Sequence, residues 1–480
     1  MLATWVRDEM QTVDLHDKRL NARLGMVLSQ LAARPTASIP SACGGHAEMT
    51  AAYRLFSNEK VTFTNILRAH AVATEKRMAA QRVVILAQDT TEVDLTRPEK
   101  VVTGVGPLDG NARVGAFLHL LHAFTPDGTP LGTVQAHAWT REEGVLRSGS
   151  LSRAEQKQLP IEAKESQRWV TTFEQARQVA RNCPTTTCVC VADSESDIYE
   201  LFVTAMAEPR NIEWIVRACQ NRALVQDHLG GKHLREYLLA QPVLFTHSTP
   251  VRGRRPKISC ETRGRRQPRR SRTAELTVRA TPVTLRSPYR PTGKMPPVTV
   301  NAVLVHETQP PPGEEPVEWL LLTSLPIDDP AKVRQVIQYY CTRWMIEVFF
   351  RVLKSGCRVE ERRLETLDRV LNCLAVYLIV AWRALYVCRL GRSCPTVPCE
   401  AVFEPAEWQA VWKVVHRQDP PREPPQLQEM VRLVAKLGGY VNHQRAAPPG
   451  PQTLWIGLQR AHDFATCWNS FGPGAATTNV

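Results

Sequence analysis

The chain has 480 residues, 43% hydrophobic and 22% charged, which excludes a disordered polymer and is too long for one simple core, so two or three folded domains are expected. A net charge of +13 with a pI near 9.3 favours a polyanionic partner, either nucleic acid or an anionic membrane.

The amino terminus, MLATWVRDEMQTVDLHDKRL, has no apolar core and so is not a signal peptide. Residues 1 to about 75 read as helical, with Leu20, Leu24, Val27, Leu28 and Leu31 at helical spacing between Asp17 and Leu31. Lys18, Arg19 and Arg23 lie among them, and Arg54 follows in AAYRLF. A helical DNA-binding module has such a basic side, and so does a plain helical bundle.

The texture changes at Val83, where VVILAQD reads as a strand buried on both faces and ending in Asp89. Ala116 to Thr125 and Pro130 to Thr140 flank a Pro-Asp-Gly turn and read as two antiparallel strands. A polar segment, about 141 to 182, holds a helix around Lys164 to Ala180. Thr187 to Asp193 is a second apolar strand ending in Asp, and Ile198 to Met206 continues as a helix. Cys188 and Cys190 fall on opposite faces of that strand. The thirteen cysteines are scattered and odd in number, so free thiols in a reducing cytosol are expected.

Between roughly 220 and 322 the helical signal fails, and β-runs appear at Glu275 to Arg279, Val298 to His306 and Trp319 to Thr323. Arg252 to Arg272 holds ten Lys or Arg against one acid, Glu261; such a run is either a solvated loop or a phosphate-gripping arm. Helices are expected at Pro330 to Leu353 and Leu367 to Cys388, then, after a Pro-rich linker near 393–424, at Leu427 to Leu437 and about Thr453 to Trp468. Cys394 and Cys399 in that linker lack a second ligand pair for zinc. Gly438-Gly439 ends the first of the two last helices. The longest apolar run, Val370 to Trp382, is shorter than the ~18 residues that span a bilayer, and a buried core helix is expected.

The helix near 340 carries the most specific pattern, Y-x2-R-x3-E-x6-K, at Tyr340, Arg343, Glu347 and Lys354. At about 100° per residue these four point to roughly 0°, 300°, 340° and 320°, and Arg351 joins them at about 20°. Met345, Ile346, Phe349, Val352 and Leu353 form an apolar back. One carboxylate thus stands among cations and a phenol, where a merely solvated face is the ordinary alternative. Asp89 and Asp193 close two strands and Glu347 sits on the helix. Three carboxylates from separate elements suit two hard divalent cations, and such cations drive phosphoryl transfer. Arg343, Arg351 and Lys354 suit phosphodiester binding, and Tyr340 can donate to a phosphate oxygen. Taken singly, Asp89 and Asp193 also fit turn or helix caps.

With these residues in view, the chain resembles the insertion-sequence-four family of cut-and-paste DDE transposases. The matching motifs are AQDTTEVDL, CVADSESDIYEL, WLLLTSLP and YYCTRWMIEVFFRVLKSG, with AAYRLF near the start and KLGGY and TLWIGLQR near the end. The likeness runs from about residue 5 to 468. It implies a ribonuclease-H-like α/β core with a β-rich insertion (about 220–325), a helical N-terminal DNA-binding domain over 1–75, a catalytic domain over 76–392 and a helical C-terminal dimerisation domain over 393–480. It also implies that Asp89, Asp193 and Glu347 bind two Mg2+ ions, with Mn2+ as a substitute. By the same resemblance, the enzyme nicks transposon ends, passes through a hairpin and joins 3′-hydroxyl ends to target DNA. Trp319 would stack on a flipped base. Arg222 corresponds loosely to a DNA-contacting Arg, and Lys18, Arg19, Arg23 and Arg54 would contact the terminal inverted repeats. The implied partners are double-stranded DNA and a second copy of the chain in a synaptic complex, with no membrane, in a bacterial-type cytoplasm and nucleoid.

Departures from the family pattern are Asp193-Ser194-Glu195-Ser196-Asp197, which lacks an Arg after the second acid, Gln88 before Asp89, and Met345 for a basic residue. None removes a catalytic group. The alternative reading is a transposase-derived DNA-binding protein or inhibitor without strand transfer; a stand-alone nuclease is a third.

Overall fold

The computed structural model describes residues 2–97, 99, 101–109, 112–141, 155, 159–207, 211–225, 232–251, 253, 269–290, 293–441 and 448–473. Most of the basic run from 252 to 272 lies outside the described residues.

The helical start forms as α1 (Thr4–Glu9), α2 (Lys18–Ala33), α3 (Ile39–Cys43), α4 (His46–Phe56) and α5 (Phe63–Ala79). Asp17 caps α2 by accepting from the Arg19 backbone N–H, while Leu24, Val27, Leu28 and Leu31 bury the expected stripe. Strands β1 (Val83–Asp94), β2 (Gly106–Pro107), β3 (Val114–Phe124) and β4 (Pro130–Trp139) follow. The β3–β4 hairpin is antiparallel, as the Pro-Asp-Gly turn predicts, and Gly128 takes the positive φ (+87°) that an L side chain resists.

One expectation needs correction here. β1 does not stop at Asp89 but runs five residues further, to Asp94, paired throughout with β3. Burial is continuous from Val84 to Gln88 and only partial from Asp89 to Glu92, so the apolar run marks the buried half of a longer strand.

The chain continues through α6 (Gln167–Asn182), β5 (Thr187–Ala192), α7 (Tyr199–Met206), β6 (Glu213–Arg217), α8 (Leu234–Leu239), β7 (Phe245–Val251), β8 (Arg272–Leu285), β9 (Val298–Glu307) and β10 (Glu318–Thr323). The short α8 lies in a stretch where no helix was expected. The β-rich part is no separate body: β10 pairs with β6, giving the order β5-β6-β10-β9-β8-β7.

The signature helix is divided. α9 (Pro330–Thr342) ends where Arg343 N–H turns back to the Tyr340 carbonyl, and α10 (Trp344–Arg351) begins immediately after. Val352–Gly356 then forms a π-helical turn, closed by Cys357 N–H on the Val352 carbonyl. A continuous 3.6-residue helix therefore does not describe the whole stripe. Gly356 permits the turn's packing, because a Cβ there would lie 2.9 Å from the Trp455 ring.

α11 (Leu367–Ser393) is long and apolar enough to cross a membrane, yet 83% of its most apolar window is buried within the protein, which makes it the expected core helix. The Pro-rich linker hides a further helix, α12 (Pro405–His416), before α13 (Leu427–Leu437) and α14 (Pro451–Phe471). Its start was written in Glu404-Pro405-x-Glu407: Pro at the first turn, and a capping box in which Glu407 accepts from the Glu404 N–H at 2.9 Å. Trp408 and Val411 join Val387, Met430, Val434 and Leu454 in one carboxy-terminal core.

The structure divides into two compact units. The first comprises residues 1–147, 182–186 and 344–480, and the second 148–181 and 187–343. In the first, β1, β2 and β4 each pair antiparallel with β3, with α5 and α11 against β4. In the second, parallel β5 and β6 start a sheet that is antiparallel thereafter. The mixed α/β class with helical ends is as the sequence indicated.

Candidate active site

In the first unit Asp89 lies mid-strand, opposite Leu120 of β3. Its Oδ1 accepts from the Thr90 N–H at 2.8 Å, and Thr90 Oγ1 stands 2.8 Å from His119 Nδ1. α10 packs against β1 and carries Glu347, half-buried, in its first turn, where the helix dipole favours a carboxylate. The unit thus holds two acids on adjoining elements, both within reach of solvent.

Further along β1, Arg113 bridges Glu92 (2.7 Å) and Asp94 (2.9 Å). Burial raises the Asp94 carboxyl, but hydrogen bonds from Thr96 and Arg113 outweigh it and hold the group below its ordinary value. Asp94 N–H donates to Glu360, whose Oε1 is 3.3 Å from Lys354 Nζ. Lys354 therefore has a carboxylate partner within the protein. Arg351 is exposed.

The second unit carries Asp193 just after β5. Its side chain accepts from the Glu195 N–H at 2.9 Å, so the capping role and an acid at the strand end coexist. Asp197, four residues on, is buried and takes hydrogen bonds from Cys219 and Gln220 N–H and from Arg222. Arg222, with 8% of its side chain exposed, is committed to Asp197, a partnership that the sequence pattern did not reveal. Trp319, the second residue of β10, is half-buried, its ring 6.3 Å from that of Tyr340. Tyr340 and Arg343 are 6% and 8% exposed, with the Arg343 guanidinium 5.9 Å from the Tyr340 ring centre. Both were expected on a charged face, and both lie largely inside.

At the amino terminus Lys18, Arg19 and Arg54 are exposed and Arg23 is half-buried. Arg19 lies 3.7 Å from its neighbour Asp17. Asp89, Glu347, Arg351, Lys354 and the amino-terminal cations thus belong to the first unit, and Asp193, Arg222, Trp319, Tyr340 and Arg343 to the second. Among the described residues no three or more His, Cys, Asp and Glu side chains gather as a metal-holding group. The donor set itself, three carboxylates, has hard-cation chemistry.

Three stretches of the chain match known families. Residues 2–61 match Transposase DNA-binding, 154–382 the Transposase DDE domain, and 379–469 the Transposase Tn5 dimerisation domain. The chain belongs to the Tn5-type DDE transposases. As a member of that family it is a DNA-cleaving transposase with regions for DNA binding and for dimer formation, and the DDE domain implies use of a divalent metal. Asp193 and Glu347 fall inside the DDE match and Asp89 before it. Among solved structures, the chain is similar to a piggyBac transposase synaptic complex with hairpin DNA, at 10% identity and a TM-score of 0.37, covering 82% of this chain and 72% of that one. A likeness of that size carries no argument about the site.

Proposed function

We propose that this transposase works by cut-and-paste. As a homodimer it binds terminal inverted repeats, nicks the ends, excises through a hairpin and joins the 3′-hydroxyls to target DNA. The observation that carries the reading is Glu347 on α10 packed against β1, the strand that bears Asp89. Asp193, at the end of β5, supplies the third carboxylate.

In this reading Asp89, Asp193 and Glu347 hold two Mg2+ ions, with Mn2+ able to substitute. When bound, such cations favour ionisation of an attacking hydroxyl and stabilise the leaving oxygen. Arg343, Arg351 and Lys354 grip the scissile strand through its phosphates. Tyr340 offers its hydroxyl to a phosphate oxygen and supports Trp319, which stacks on an extruded base. Arg222 acts as a positioning residue: its hold on Asp197 fixes the segment that follows the second acid. Lys18, Arg19, Arg23 and Arg54 contact the phosphates of the end DNA. We assign functional boundaries near residues 75 and 392, which fall inside α5 and the last turn of α11.

Glu347→Ala tests the assignment. The full-length variant should lose divalent-metal-dependent cleavage of a duplex bearing the element's own terminal repeat, and should still shift that duplex in a binding assay. Cleavage surviving the change overturns the role of Glu347. A wild-type protein that binds ends and never nicks them overturns the enzyme in favour of an inhibitor.

A further inference from the structure

Trp319 occupies a weakly supported place in its sheet. β6 pairs with β10 from Leu321 to Thr323, and Ala218 N–H extends the bonding to the Leu320 carbonyl at 2.7 Å, so at Glu318 and Trp319 the strand has ladder partners on one side, His306 and Val305 of β9. Strand alternation sends the Glu318 and Trp319 side chains to opposite faces, so whatever holds Glu318 holds the strand without covering the indole.

Three side chains converge on Glu318. Arg235 of α8 meets it as a fork, Nε to Oε1 at 2.9 Å and Nη2 to Oε2 at 2.8 Å. His306 Nδ1 stands 2.9 Å from Oε2. Arg217 of β6 donates to the Glu318 backbone carbonyl at 3.1 Å, in place of the missing ladder bond. Arg235 is fixed in turn, its N–H donating to Asn221 Oδ1 at 2.9 Å. Partial burial raises the Glu318 carboxyl, but Arg235 and His306 outweigh it and keep the group below its ordinary value. A partly exposed ion pair of this kind adds little to stability, yet a two-point fork fixes direction well.

We propose that Arg235, Glu318 and His306 are positioning residues for base extrusion, locking the start of β10 so that Trp319 meets an unpaired base in one orientation. The proposal rests on the reading that Trp319 stacks on that base. A displaced platform costs the hairpin step, which needs the base extruded, and leaves first-strand nicking untouched.

The test uses full-length protein and a synthetic duplex carrying the element's own terminal repeat, pre-nicked, with 2-aminopurine beside the nick. R235A and E318Q should lower hairpin yield on the order of ten- to a hundred-fold and remove the fluorescence rise of the extruded base. Nicking of the intact duplex and the melting temperature should stay near wild type. The double charge exchange R235E/E318R should recover hairpin yield lost in R235E alone. Wild-type hairpin yield in R235A and E318Q beside a defective W319A overturns the clamp and leaves the role of Trp319 standing. Normal hairpin formation by W319A overturns both. Equal loss of nicking and hairpin formation in the clamp variants also overturns the proposal, as the mark of general damage.

Discussion

Arg222 and Asp197 form an ion pair 2.5 Å long with 8% and 0% of their side chains exposed. Asp197 also accepts from two backbone N–H groups, those of Cys219 and Gln220. Arg222→Ala leaves that carboxylate without its countercharge and should cost about 3–5 kcal/mol in urea unfolding. The double variant R222A/D197A should cost less than the sum of the two single changes, because no orphan charge remains. Strict additivity would show that the pair contributes nothing as a pair.

Acid should destabilise the first unit through its buried histidines. His70 is fully buried, with Nδ1 2.6 Å from Glu9 Oε2 and Nε2 accepting from the Thr133 N–H. Burial holds His70 below its ordinary value of 6.5 despite Glu9, and drives His122 well below it. Below about pH 6.5 the unfolded histidines take up protons that the folded ones refuse, so stability present above that pH falls as pH drops. Glu9 acts in the same direction further down: burial raises it, His70 and Arg77 outweigh burial, and its contribution fades below about 4.5. Melting temperature should therefore fall between about pH 7.5 and 5.5, and fall less in H122Q. An equal fall in both proteins would remove His122 from the account.

Lys354 and Glu360 stand 3.3 Å apart, both partly exposed, so in the proposed function Glu360 competes with DNA phosphate for this lysine. Lys354→Ala should flatten the slope of log affinity against log salt by about 1, and Glu360→Gln should raise affinity at low salt. A slope unchanged in K354A would mean that this lysine meets no phosphate.

The last two helices pack backbone to backbone. A Cβ on Gly457 would lie 1.9 Å from the Val434 carbonyl oxygen, and one on Gly438 1.8 Å from that of Thr453. Gly457→Ala must push α13 and α14 apart, at a cost of about 1–3 kcal/mol. Both helices lie in the match to the dimerisation family, so sedimentation should show dimers of G457A dissociating at higher protein concentration. Unchanged sedimentation would place the dimer contact elsewhere.

Much of the fold was readable from local pattern. Leu24, Val27, Leu28 and Leu31 announced α2, the β3–β4 hairpin followed from its turn, and α13 has the limits its apolar spacing and glycines gave. Beside the short α8, three further features escaped. β1 outruns its apolar core because Thr90 to Asp94 are held by pairing with β3, to which composition is blind. α12 was masked by prolines, though its capping box was present in the sequence. The signature helix breaks at Arg343 and tightens into a π turn at Val352–Gly356, where the Trp455 ring presses on Gly356 from about a hundred residues away.

The candidate site divides along the same line. The sequence alone nominated the groups proposed to carry the chemistry, since an acid at a strand and a Y-x2-R-x3-E-x6-K spacing are local facts of residue type and order. Only the tertiary structure decided which of those groups meet solvent and which are already engaged. It buried Tyr340 and Arg343, committed Arg222 to Asp197, gave Lys354 to Glu360 and set Arg235 and His306 on Glu318. Charged side chains choose partners by distance in space, and the fold that sets this distance brings Arg235 to Glu318 across 83 residues of chain.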